Sequence, residues 1–276
     1  MNIKYSCTYW GCEKDEPNTF VDKVLAGGYD GVEIYLPTQS VFTEQFIAKL
    51  ENIILHKPGF IFIALQLSAP VNETVDSYIS RMEKELLELA AYQPKFINSH
   101  TGKDYYSFDD NCKVIEAALN ISSKTGIRIL HETHRGRFSF HASTLLSYLE
   151  KFPELELVGD LSHFCTVSES LLDDQENILQ KIIPHISHIH ARVGTEQSSQ
   201  IANPFAPEWN MHLNKFTGWW QKIIEVQADK GLLDFTITPE AGPIPYMPTM
   251  PFTQQPLANQ WDINVQMKNY LKEKWG

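Results

Sequence analysis

Short apolar runs alternate with amphipathic stretches eight times along this chain, and that alternation limits the architectures open to it. The strand-like runs are Ile3–Thr8, Gly31–Tyr35, Phe60–Leu67, Phe96–Asn98, Ile127–Leu130, Leu155–Gly159, Ile186–Ala191 and Phe235–Thr238. Phe60–Leu67 is apolar almost throughout, as expected of a parallel strand buried on both faces. Helical spacing is expected over Phe20–Ala26, Val41–Leu55, Asp76 or Ser77 to Tyr92, Asp109–Thr125, Ala142–Phe152, Leu171–Ile183, Phe216–Lys230 and Ile263–Trp275. Gly27-Gly28, Gly126, Pro153 and Pro184 stop four of these. Spread over 276 residues, the alternation gives roughly 34 residues per unit, close to the norm for a (β/α)8 barrel. No glycine-rich dinucleotide fingerprint follows the first strand, so a barrel is favoured over an open doubly wound sheet. The expectation is an α/β chain forming a single TIM-barrel domain over 1–276, with long mouth loops near 192–215 and 240–260.

Charge narrows the partners. A net charge of −11 with no dense basic run opposes binding to nucleic acid. No apolar run is long enough to span a bilayer, so no membrane contact is expected. Cys7, Cys12, Cys112 and Cys165 show no zinc-type spacing and read as reduced, packed thiols. Met1-Asn2-Ile3-Lys4-Tyr5 enters a strand at once without signal-peptide character, which points to the cytoplasm. A small, neutral or metal-bridged substrate fits this balance; the expected partner is a small polyhydroxylated molecule, and self-association as a homo-oligomer stays open.

In a parallel barrel the C-terminal strand ends converge on one face, so residues distant in sequence meet there. Glu132, Asp160, His190 and Glu240 fall at the expected ends of the fifth to eighth strands. Three carboxylates and an imidazole make a hard site suited to Mn²⁺ or Mg²⁺, with Co²⁺ or Zn²⁺ compatible. His134 and His163 lie just beyond two of these ends, in loops facing the mouth, where either is placed to act as acid or base. His100 ends the fourth strand beside them, and Arg192, two residues past His190, is placed to bind a substrate oxyanion. His131 is expected to face the helices, and His188 to be a core hydrogen-bonder one layer below His190. Glu33 reads equally well as an outer support for the site or as an ordinary strand-end residue. The Pro-rich stretch Pro239–Pro256 is expected to cover the mouth or to contact a partner.

The segment Gly28-Tyr29-Asp30-Gly31-Val32-Glu33-Ile34, the Glu132 strand end, Asp160-x-x-His163, His188-x-His190 and Glu240 together resemble the xylose isomerase-like TIM-barrel superfamily. That group includes ketose 3-epimerases, hydroxypyruvate isomerase, inosose dehydratase, 3-dehydroshikimate dehydratase and endonuclease IV. The resemblance implies Glu132, Asp160, His190 and Glu240 as metal ligands and His163 as a substrate contact. Ketose 3-epimerases use the two metal-bound glutamates, here Glu132 and Glu240, as paired acid–base groups. They also carry an acid six positions after the first ligand, where this chain has Phe138. Glu132-Thr133-His134 is instead similar to the Glu-Thr-His of bacterial 3-dehydroshikimate dehydratases, where the histidine serves in catalysis. Endonuclease IV needs a richer histidine set and a DNA-binding surface, and this chain has neither.

The functional expectation is a divalent-metal-dependent isomerase or epimerase acting on a small sugar or polyhydroxylated carbonyl compound through an enediolate, with Glu132, Glu240 and His134 as catalytic groups. His163, His100 and Arg192 are the expected substrate contacts. A metal-dependent dehydratase of the 3-dehydroshikimate or inosose type is the alternative, because both reactions begin with removal of a proton α to a carbonyl. A non-catalytic metal- or sugar-binding barrel is the third reading.

Overall fold

A computed structural model describes residues 1–37, 40–68 and 71–276. Eight parallel strands pair in sequence order: β1 (Asn2–Thr8), β2 (Gly31–Ile34), β3 (Ile61–Gln66), β4 (Phe96–Ser99), β5 (Ile129–Glu132), β6 (Leu157–Gly159), β7 (Ile186–Ala191) and β8 (Asp234–Pro239). The sheet closes into a barrel, with Ile3 of β1 in register with Phe235 of β8. The described helices are α1 (Pro17–Ala26), α2 (Val41–His56), α3 (Val75–Ala91), α4 (Phe108–Thr125), α5 (Ala142–Lys151), α6 (Leu161–Ser168), α7 (Glu176–Ile182), α8 (Asn210–Asp229) and α9 (Gln260–Trp275). This is the (β/α)8 TIM barrel expected from the alternation. Among the described residues no helix is long and apolar enough to cross a membrane.

Local chemistry sets the helix limits. Ser40, Thr74 and Ser107 cap α2, α3 and α4 by accepting a hydrogen bond from the backbone N–H three residues on. Gly126 ends α4 in the left-handed conformation at φ 72°, where a side chain would be strained. Gly31 answers a different demand: a Cβ there would sit 2.3 Å from the carbonyl oxygen of Ile61 on the neighbouring strand.

Packing contacts sort the chain into two groups, residues 6–132 with 136–138, and residues 1–5 with 133–135 and 139–276. In the first group, Phe46 of α2 packs edge-on against Phe62 of β3 at 6.1 Å between ring centres, and Tyr9 lies 4.8 Å from Phe20 of α1. In the second, Phe216 of α8 packs against Trp219 and Trp220, all three buried. The four cysteines are buried free thiols. Burial, reinforced by the nearby Asp160 carboxylate, pushes the Cys165 thiol well up and leaves it inert.

Several expected boundaries move. β5 runs from Ile129 to Glu132 rather than from Ile127 to Leu130, because its pairing with β4 matches Ile129 to Ile97 and His131 to Ser99. Glu132 is thus held by the strand itself. The segment after Asp160 is not a loop but α6, whose buried face is Leu161, Phe164 and Cys165 and whose N-cap is Asp160. The single helix expected over Leu171–Ile183 is replaced by a 3-10 turn, Asp173–Gln175, and the short α7, because Leu172 takes a left-handed conformation. α8 begins at Asn210, not Phe216, since His212 and Leu213 extend the buried face of Phe216 and Trp220 by one turn upstream.

Candidate metal centre

Side chains of β7 alternate between the barrel interior and the helices, so His188 and His190 share the inner face on successive layers. His188 Nδ1 lies 2.6 Å from Thr236 Oγ1 and Nε2 lies 3.0 Å from Thr238 Oγ1, so both ring nitrogens are engaged by β8 hydroxyls. That is the core hydrogen-bonding role expected of it. His190, one layer higher, brings Nδ1 to 2.9 Å from Glu240 Oε2, just past the end of β8. Asp160, just past β6, is fully buried. One ligand atom from each of Asp160, His190 and Glu240 lies within 4.8 Å of the other two.

Each of these groups is braced. Asp160 Oδ1 accepts from the Ser162 N–H at 3.0 Å and from Ser162 Oγ at 2.5 Å, which fixes the carboxylate plane. Its backbone is held by Thr133, whose hydroxyl accepts from Asp160 N–H and donates to Asp160 C=O, both at 2.9 Å. Arg192 Nη2 hydrogen-bonds Asp160 Oδ2 and lies 3.5 Å from Glu240 Oε2. The same Nη2 donates to His163 Nε2 at 2.9 Å. A guanidinium only donates, so His163 Nε2 must accept, which fixes the neutral tautomer with its proton on Nδ1.

Glu132 ends β5 at 2 % exposure, in a buried polar cluster of its own. Asn98 Nδ2 donates to Glu132 Oε2 and to Glu33 Oε1, each at 2.9 Å. His100 Nε2 lies 3.1 Å from the same Glu132 Oε2. Glu33 is buried and joined to Glu132 through one amide. Asn98 carries no motif signal; its only mark is a polar residue in the buried run Phe96-Ile97-Asn98-Ser99. His131 turns away from this cluster, with Nδ1 2.7 Å from Thr101 Oγ1 and its ring against Phe138.

His134 and His163 meet, with ring centres 3.9 Å apart. His163 reaches this position from α6, fully buried, rather than from a loop. His134 Nδ1 lies 2.5 Å from the Arg135 carbonyl oxygen, which only accepts, so Nδ1 carries the proton and Nε2 is the basic nitrogen. Phe138 is buried in the core at 1 % exposure and packs on His131, so the position where ketose 3-epimerases carry an acid is a packing position here. The Pro-rich segment contributes a residue the sequence did not mark: the Tyr246 ring lies 6.4 Å from that of His163 and 4.8 Å from the Arg192 guanidinium carbon.

The donor chemistry fits a divalent ion. Asp160 and Glu240 are desolvated carboxylates that share one guanidinium, so two negative charges face a single fixed positive charge and a cation would balance the remainder. The imidazole of His190 adds a nitrogen donor typical of such sites.

No family model and no curated protein matches the chain. Solved structures do. A probable 3-DHS dehydratase, AsbF, from Bacillus anthracis is 16% identical, covering 98% of both chains at a TM-score of 0.66. A xylose isomerase-like TIM-barrel protein from Mycobacterium smegmatis, in complex with magnesium, is 10% identical over 99% of this chain and 98% of its own, at a TM-score of 0.61. The IOLI protein with a bound zinc atom is also 10% identical, over 98% of this chain and 97% of its own, at a TM-score of 0.59. At these identities the likeness is one of fold: this chain shares the (β/α)8 barrel of these proteins.

Proposed function

We propose that this protein is a divalent-metal-dependent enzyme that removes a proton α to the carbonyl of a small polyhydroxylated compound, giving isomerisation or epimerisation. The ligands in this reading are Glu132, Asp160, His190 and Glu240. The observation that carries it is convergence: one donor atom from each of Asp160, His190 and Glu240 lies within 4.8 Å of the other two, and all three residues are buried. A divalent ion held there, Mn²⁺ or Mg²⁺ by donor hardness, supplies Lewis-acid stabilisation to charge developing on the substrate carbonyl oxygen. The magnesium and zinc seen in two structures of the same fold support a metal-binding role without selecting the ion.

The chain's own groups divide the remaining work. Glu132 and Glu240 flank the substrate as the acid–base pair, and His134 Nε2 is a third base. Arg192 holds Asp160 and Glu240 in place. His163 and His100 border the substrate. Dehydration is the second reading, favoured by a specific observation: the His134 ring lies 3.9 Å from that of His163 while Phe138 is buried in the core. The fold's likeness to a probable 3-DHS dehydratase agrees with it.

The test is elemental analysis of the purified protein, followed by NMR in D₂O with ketoses, cyclic polyols and dehydroshikimate-type compounds. Metal at about one equivalent and solvent exchange at one substrate carbon are expected. A metal-loaded protein that exchanges no carbon-bound proton in the whole panel would overturn the enzymatic reading.

The Asn98 amide gives an independent handle on the site. Asn98→Ala is expected to weaken metal binding about 10- to 100-fold, because a partner that orients a ligand carboxylate contributes on that scale. Competition against a fluorescent chelator measures it, and unchanged affinity would remove Asn98 from any role in orienting Glu132.

A further inference from the structure

We propose that the substrate carries an anionic substituent, a carboxylate or a phosphate, and that Arg135 grips it. This rests on the metal-enzyme reading above and narrows it to an anionic substrate class. The starting point is what Arg192 does in the fold. The sequence suggests it as an oxyanion binder, yet its Nη2 already serves Asp160, Glu240 and His163. Arg135 stands differently. It follows His134 directly, is exposed, and makes no ion pair among the described residues, in a chain with 34 acids against 23 bases.

Its guanidinium is nevertheless placed. The Arg135 guanidinium carbon lies 5.0 Å from the centre of the Tyr246 ring, and that of Arg192 lies 4.8 Å from the same centre. The two guanidinium carbons are therefore within about 10 Å of each other. Tyr246 also lies 6.4 Å from His163, whose ring centre is 3.9 Å from that of His134, so an anion held by Arg135 borders the histidines assigned to the chemistry. Tyr246 positions Arg135: stacking on a ring limits the rotamers of an otherwise free side chain, so less order is lost when the anion binds.

The test uses matched probes that share a hydroxylated carbon chain and differ in charge: sorbitol, gluconate and sorbitol 6-phosphate, titrated calorimetrically into the metal-loaded protein. At least one anion is expected to bind about tenfold or more tighter than sorbitol, the scale of one charge-assisted contact. Preference for gluconate marks a carboxylate substituent, and preference for sorbitol 6-phosphate marks a phosphate. Arg135→Ala is expected to abolish that preference with metal content unchanged. Tyr246→Leu is expected to reduce it, and Tyr246→Phe, which keeps the ring, to restore it. Equal binding of charged and neutral probes, no binding of any probe, or a preference that survives Arg135→Ala would each overturn the proposal. Wild-type protein that holds no metal would instead sink the enzyme reading, and elemental analysis of the same samples separates the two failures.

Discussion

Glu240→Gln is expected to lower divalent-metal affinity by roughly 100-fold or more, exceeding the loss for an outer-shell partner because a ligand charge itself is removed. Asp160→Asn is expected to do the same, yet the two variants should part company once metal is stripped. Asp160 and Arg192 are a buried pair at 0 % and 2 % side-chain exposure, and Arg192 lies farther, at 3.5 Å, from Glu240. Neutralising Asp160 removes the nearer counter-charge of a desolvated guanidinium, a change that costs about 3 kcal/mol or more. Neutralising Glu240 leaves that pair intact and removes one of two crowded carboxylates, so the apo protein should lose little stability. Thermal melts with and without EDTA distinguish these outcomes. Wild type should gain about 2.7 kcal/mol at a metal concentration one hundred times its Kd, and both variants far less. Full metal content in Glu240→Gln would refute its assignment as a ligand.

The barrel was legible because its signal is distributed. Eight runs such as Phe60–Leu67 and Ile186–Ala191 each bury both faces, and only a few topologies accept eight of them in sequence order. The strand-end acids were legible for the same reason, since a barrel brings C-terminal strand ends to one face. What failed was local and depended on partners. Leu161–Ser168 reads as a loop because its polar residues interrupt the apolar spacing; it becomes α6 because Asp160 caps it through Ser162. The carboxylate that the sequence offers as a ligand is thus also a helix cap, and the spacing shows only the first of these. Asn98 and Tyr246 carry no spacing signal. One matters because two acids from distant strands accept from a single amide, and the other because two arginines stack on one ring.

His134→Ala should separate the two reactions that share a first step. Removing a positioned base costs 10²- to 10⁴-fold in rate on typical scales, about 3 to 5 kcal/mol in the barrier. The His134 imidazole presents Nε2 as its basic nitrogen, with Nδ1 held by the Arg135 carbonyl. It is not one of the four ligands of the proposed reading, so metal affinity should stay at the wild-type value. If Glu132 and Glu240 perform the proton transfers of an epimerase, the variant keeps most of its solvent exchange in D₂O. If His134 is the base of a dehydratase, exchange and elimination fall together, to the full extent of the rate loss. A third outcome, exchange retained with elimination lost, assigns His134 to proton delivery to the departing hydroxyl, with a glutamate as the base. His134→Gln sharpens the assignment, because it preserves a hydrogen-bonding side chain of similar reach but cannot take up a proton. Rates of Gln and Ala variants that agree would show that proton transfer, rather than packing against His163 at 3.9 Å, is what the ring contributes.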